Sequence, residues 1–297
     1  MHPDEIHSDE ALVRRLLASQ FPHWSDLPVT QFHSSGTDNA MYRLGDNLVA
    51  RLPRRPTAAI QLAKEQAWLP RIAPSLPVVV PLPLAGGLPS DEFPWAWSVC
   101  EWLSGICPIV GSIADPVSLA IDLAGFITTL RQIDPTDGPP PGAHNFWRGV
   151  PLAVRDSYTR KAIAEIGDEF DTQALTALWD AALGAPTWGQ QPAWVHGDLS
   201  AANLLLNDQR LSAVIDFGGL AIGDPACDLA VAWSLFDGDA REAFKAATAI
   251  DGAAWDRGRG WALSIAAIQL PYYRPTSPQI AQIARAVIES VLADAQP

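Results

Sequence analysis

Positive charge is scarce in this chain. Its 297 residues hold 20 Lys and Arg against 33 Asp and Glu, a net charge of −13. Nucleic-acid affinity comes mostly from Lys and Arg neutralising phosphates, so a phosphate-backbone binder is disfavoured, and an anionic membrane surface with it. Cysteine is also rare. Cys100, Cys107 and Cys227 form no C-x-x-C pair and no even framework, which reads as a thiol-reduced, cytoplasmic chain. No apolar run approaches the ~20 residues of a membrane span. The opening MHPDEIHSDE has no basic stretch leading into an apolar one, so no signal peptide is expected. Three common motifs are missing as well: G-x-x-x-x-G-K-[ST], H-E-x-x-H and G-x-S-x-G. The histidines are scattered without ligand spacing.

The chain does have a globular balance, 48% hydrophobic and 18% charged residues, and is long enough for two domains or two lobes. Strands are predicted at Val29–His33, Ala40–Leu44, Leu48–Leu52, Val78–Leu84 and Trp95–Leu103. Helices are predicted over Asp9–Gln20 and from an N-cap at Thr57 to Ile72, the latter with Ile60, Ala63, Ala67 and Ile72 as its apolar side. The remainder reads as mainly helical: Pro116–Ile133, Arg155–Phe170, Thr172–Leu183, Pro225–Phe236, Ala240–Thr248, Trp255–Leu270 and Pro278–Ala293. Two short β runs, Leu204–Leu206 and Ser212–Ile215, interrupt it. This is an α+β plan, a β-rich lobe over residues 1–103 followed by a helical lobe over 104–297, with a cleft between. The second part carries 22 acids against 12 bases.

The informative stretch is Val195-His196-Gly197-Asp198-Leu199-Ser200-Ala201-Ala202-Asn203, with Ile215-Asp216-Phe217-Gly218 after it. Asp198 and Asn203 stand five apart, and the D-F-G triplet begins 18 residues after Asp198. Protein kinases share this grammar, for a chemical reason. One carboxylate faces the attacking hydroxyl, while an amide oxygen and a second carboxylate hold Mg²⁺ against a triphosphate. The segment downstream of Gly218 departs from the protein-kinase pattern. Gly223-Asp224-Pro225-Ala226-Cys227-Asp228-Leu229-Ala230 runs straight into a helix, with no long hydroxyl-bearing activation segment.

The combination of HGDxxxxN, IDFG and GDPxxDLA resembles the aminoglycoside phosphotransferase family, including its macrolide kinases, from about Phe32 to Trp233. The resemblance implies a bilobal, protein-kinase-like fold. It makes Asp198 the catalytic carboxylate and Asn203 and Asp216 the magnesium ligands. His196 would be a structural support of the catalytic turn, and Asp228 an internal acceptor for its donors. Asp224 reads as a loop stabiliser or helix cap before Pro225.

On the nucleotide side, Arg51 takes the strand position where kinase-like folds place Lys, and Glu65 is its helical partner. Arg keeps the charge and can fork onto phosphate oxygens. Ser35 lies in the turn expected to cover the phosphates. Glu101 and Leu103 lie on the segment matching the interlobe hinge, whose backbone would meet the purine of ATP or GTP. Trp147 and Trp233, with Asp168 and Glu169 in the acidic stretch around the helix pair, are candidates for an acceptor pocket that favours a cation. The expected function is transfer of a γ-phosphoryl group to a hydroxyl of an aminoglycoside or macrolide. A choline, homoserine or sugar kinase and a nucleotide-binding protein with little turnover are the alternatives.

Overall fold

The computed structural model describes residues 6–32 and 38–294. Helix α1 (Glu10–Gln20) is capped by Asp9, whose carboxylate accepts the Leu12 N–H at 2.7 Å, and it buries Leu12, Val13, Leu16 and Leu17. Strands β1 (Val29–Phe32), β2 (Asn39–Leu44) and β3 (Leu48–Pro53) come next, then helix α2 (Pro56–Ile72), β4 (Pro83–Gly87) and β5 (Trp97–Glu101). They form an antiparallel sheet in the order β1-β2-β3-β5-β4, with Met41 opposite Arg51 and Arg51 opposite Ser98. Alternate residues of β2 (Ala40, Tyr42, Leu44) point into a small core with the leucines of α1, Phe93, Trp97 and Val99.

The second lobe is helical. Helices α3 (Pro116–Gln132), α4 (Asp156–Glu165) and α5 (Thr172–Gly184) precede strands β6 (Ala193–Val195), β7 (Leu204–Asn207), β8 (Arg210–Val214) and β9 (Ala221–Gly223). Helices α6 (Val231–Leu235), α7 (Gly238–Thr248), α8 (Gly252–Tyr273) and α9 (Pro278–Ala293) complete it. Strands β7 and β8 form a hairpin, and β9 returns antiparallel to β6. A larger core joins Phe126, Trp179, Trp194, Phe217, Phe244 and Trp261 with the inner faces of α3, α8 and α9. It also takes in Leu69, Ile72 and Val80, so the end of α2 belongs to this lobe's core although it precedes residue 103. Among the described residues no helix is long and apolar enough to cross a membrane.

Four local expectations are corrected. Residues 78–82 are not part of a sheet strand, because Pro77, Pro81 and Pro83 lack ladder donors; instead Val79 bridges to β8, taking the Val214 N–H at 3.1 Å. Helix α2 begins at Pro56, and its inner face is not the predicted one. Ile60, Ala63 and Ala67 are exposed, while Leu62, Lys64, Glu65, Leu69 and Ile72 are buried. The predicted helix over 155–170 is a 3-10 turn leading into the shorter α4. The one over 225–236 is a 3-10 segment leading into α6. Strand β9 was not expected, since Ala-Ile-Gly carries little pattern of its own.

Candidate active site

The turn after β6 is built around buried His196. Its Nδ1 accepts the Asp198 N–H at 3.2 Å, so Nε2 carries the proton and donates to the Ile215 carbonyl at 3.1 Å. Burial lowers the ring's pKa, which keeps this neutral tautomer. Asp228, also buried, accepts the N–H groups of His196 (2.7 Å) and Gly197 (2.8 Å). Gly197 has φ +80°, and a Cβ there would stand 2.6 Å from the Gly219 carbonyl oxygen, so only glycine fits. These contacts tie the 196–198 turn to the segment after β8.

The turn presents Asp198 to solvent while protein crowds its other sides. That desolvation raises its carboxyl above the ordinary carboxylate range, with Arg148 and Asn203 pulling back. The Asn203 amide nitrogen donates to the Asp198 carbonyl at 2.8 Å and to its carboxylate at 3.4 Å, so the amide oxygen is directed elsewhere. Asp216 is exposed at the exit of β8 with φ +64°, a left-handed conformation costing roughly 1–2 kcal/mol in a non-glycine residue. Such strain clusters at functional sites.

Across from Asp216, Arg51 and Glu65 form a buried, forked ion pair at 2.5 and 3.2 Å. Burial raises Glu65 against the pull of Arg51. Desolvation lowers the guanidinium, but the Glu65 carboxylate beside it, with Asp216, outweighs that and holds it above its ordinary value. The two residues therefore meet as the resemblance to kinase-like folds implied.

Three charged residues in these contacts were not foreseen. Lys64 is buried and donates to the Gly218 carbonyl at 2.8 Å. Arg148 is buried and donates to the Gly197 carbonyl at 3.2 Å, beside Asn145, whose amide donates to the carbonyls of Arg148 and Gly219. Arg257 pairs with Asp224 at 2.7 and 3.2 Å, both buried, while Asp224 also caps Ala226. No local pattern marks them: Lys64 stands beside Glu65, and Arg257 lies between Asp256 and Gly258-Arg259.

The other predicted positions fall in different places. Ser35 lies outside the described residues. Glu101 is exposed at the end of β5, opposite Leu48, and Leu103 is half-buried in the crossing that ends where Ile106 pairs with Leu206. Trp147 is 48% exposed at φ +61°, next to exposed Phe146 at φ +53°. Trp233 is 2% exposed, stacked on Trp255, with its indole N–H donated to Asp294 at 3.1 Å. It is a core residue and lines no open wall. Asp168 is exposed, whereas Glu169 is engaged by Arg274 and Arg285. Nearby acids are occupied too: Asp156 by Arg160 (2.8 Å) and Trp179 (2.7 Å), Glu165 by Lys161 (3.7 Å), and Asp171 by the first turn of α5. The expected acidic wall is largely neutralised by its own neighbours.

The two lobes, the short turn carrying Asp198 and Asn203, and the strained Asp216 opposite an Arg–Glu pair define a kinase-like phosphotransferase. The chain belongs to the phosphotransferase enzyme family, whose family model matches residues 29–261. No curated protein matches it. Among solved structures it is similar to the GDP complex of wild-type aminoglycoside 2'-phosphotransferase-IIIa, at 20% identity and TM-score 0.75, over 97% of this chain and 100% of that one. The GDP and kanamycin complex of APH(2")-IIia matches at 19% identity and TM-score 0.72, over 96% and 99% of the two chains. The macrolide 2'-phosphotransferase MphH from Brachybacterium faecium, an apoenzyme, matches at 26% identity and TM-score 0.61, over 94% and 97%.

Proposed function

We propose that this phosphotransferase moves the γ-phosphoryl group of ATP or GTP, with Mg²⁺, onto a hydroxyl of an aminoglycoside or macrolide in the cytoplasm. The carrying observation is the assembly of Asp198, Asn203 and Asp216 beside the Arg51–Glu65 pair. Asp198 accepts the hydrogen bond of the acceptor hydroxyl, aims its oxygen at the phosphorus and takes its proton. A carboxyl held above its usual range is a stronger base for that step. Asn203 and Asp216 offer an amide oxygen and a carboxylate, a hard-oxygen set that suits magnesium, which keeps waters and takes further ligands from phosphates. When bound, Mg²⁺ neutralises charge on the β- and γ-phosphate oxygens. Arg51, oriented by Glu65, grips phosphate oxygens from the N-terminal lobe, and the backbone near Glu101 and Leu103 receives the purine.

The acceptor reading draws on the relatives, one solved with kanamycin and one a macrolide 2'-phosphotransferase. Exposed Phe146 and Trp147 favour an acceptor with an apolar face, and the occupied acids around α4 and α5 leave less for a polycation. Coupled assays of ADP and GDP release with aminoglycosides, macrolides, choline, homoserine and sugars test the reading. Turnover with an antibiotic is expected. Turnover confined to a metabolite would replace the acceptor class, and none with any acceptor would favour a nucleotide-binding role.

A further inference from the structure

Lys64 has a cost that packing does not explain. Its side chain is buried, yet its ammonium meets a carbonyl, that of Gly218, at 2.8 Å, and no full charge of opposite sign across the turn. Burying a cation with so little compensation is unfavourable, and desolvation lowers its pKa to about 8, with Glu65 alone pulling upward. An apolar side chain on this face of α2 would fill the space without that penalty. The position of the bond is informative. Gly218 donates its own N–H to Asp216 Oδ1 at 3.4 Å, so one residue is held at its carbonyl by Lys64 and at its nitrogen by Asp216. A Cβ on Gly218 would stand 3.3 Å from both Asp216 Oδ1 and the Gln61 side chain, so glycine lets this turn lie close against α2.

Lys64 also shares a stripe of α2 with Gln61 and Glu65, three and four residues being the spacing of one helical face. Gln61 donates to the His144 carbonyl at 2.9 Å and Glu65 holds Arg51. One helix face thus touches the loop before Arg148, the turn of Asp216, and the strand carrying Arg51.

We propose that Lys64 is a positioning residue for the metal-binding turn: by holding the Gly218 carbonyl it sets the direction of the Asp216 carboxylate and links it to the helix that orients Arg51. This rests on the reading of Asp216 as a magnesium ligand. The phosphate grip and the metal ligand are then set together by the rotation of α2, with consecutive residues Lys64 and Glu65 addressing each.

The test is calorimetric binding of ADP or GDP, whichever the wild type binds more tightly, with and without Mg²⁺. The quantity read is the gain in affinity that Mg²⁺ confers within each variant. In Lys64→Met that gain falls about tenfold, the scale of losing a hydrogen bond from a charged donor. Mg²⁺-free affinity and Tm stay near wild type. Lys64→Arg, which keeps charge and donors, retains most of the gain. Should Lys64→Met fail to fold, Lys64→Gln carries the same comparison. An unchanged gain overturns the proposal, and so does a loss of both affinities together with Tm, which would mark a purely structural lysine. Asp216→Ala separates the two ideas: if its own Mg²⁺-dependent gain survives, the metal-site reading has failed rather than the role of Lys64.

Discussion

The two sides of the proposed site are built by different means. On the side proposed to hold the nucleotide, polar groups are buried and tied: Arg51 to Glu65, Lys64 to the Gly218 carbonyl, neutral His196 between Asp198 and Ile215. Around α4 and α5, charges are exposed and pair among themselves, and the large side chains facing solvent are Phe146, Trp147 and Tyr158. Buried polar groups fix one geometry because each misplacement leaves a group unsatisfied. Exposed aromatics on a strained loop set a surface and leave its occupant open. In the proposed function, the chemistry of transfer is thereby separated from the choice of acceptor.

The largest effect is expected on the tied side. Asp198→Asn should keep Mg²⁺–nucleotide affinity while kcat drops on the order of 10²–10⁴-fold, the range of a positioned general base. Steady-state turnover with the best acceptor, alongside calorimetry, checks it; turnover within about threefold of wild type would move the base to another residue. Next comes Glu65→Ala. It strands Arg51 in the interior and should cost about 3–5 kcal/mol in urea unfolding, the penalty for breaking a buried pair. The same measurement on Arg160→Ala, which breaks exposed contacts to Asp156 and Asp180, should show about 0–1 kcal/mol. Equal losses would erase the contrast between the two sides.

The tryptophans sharpen it further. Trp147→Ala should raise the acceptor KM about tenfold with little change in nucleotide KM, the loss of one aromatic contact surface. Trp233→Phe removes one hydrogen bond in the core and should lower stability by about 1 kcal/mol, leaving both KM values in place. The smallest effect is expected from salt. With Asp156, Glu165 and Glu169 already paired, kcat/KM should change little between about 50 and 500 mM salt; a steep fall would show that an acidic field still gathers a cationic acceptor.

The residues proposed for transfer were readable because the motifs that carry the resemblance are short-range: Asn203 five positions after Asp198, and a strand leading to Asp216. The helical lobe was equally plain where the pattern is long, as in the helix predicted from Pro116, which the structure starts at Pro116 with Asp115 accepting the Ser118 N–H at 3.0 Å. It was opaque where burial overrides pattern. Helix α2 turns Lys64 and Glu65 inward and Ile60 outward because the middle of its inner face meets Arg51 and the Gly218 turn, and the apolar core takes its far end, Leu69 and Ile72. Arg148 and Trp147 are neighbours with opposite fates, and nothing in their spacing separates them, since left-handed backbone at Phe146 and Trp147 decides which one turns inward. Trp233 and Trp147 looked alike for the same reason: a large aromatic serves a core or a pocket equally well.

The shared ownership of α2 has a consequence for how this chain could be divided. A cut after residue 103 would leave Leu69, Ile72 and Val80 on a first fragment, facing water, and would leave their places vacant in the core of the second. Each large-to-small loss in such a core costs about 2–5 kcal/mol, so neither half should hold its shape alone. Mixed together, the halves should regain activity by docking the end of α2 and Val80 back into this core, with the bonds of Lys64 to Gly218 and Gln61 to His144 setting the register, which would make this chain a split reporter.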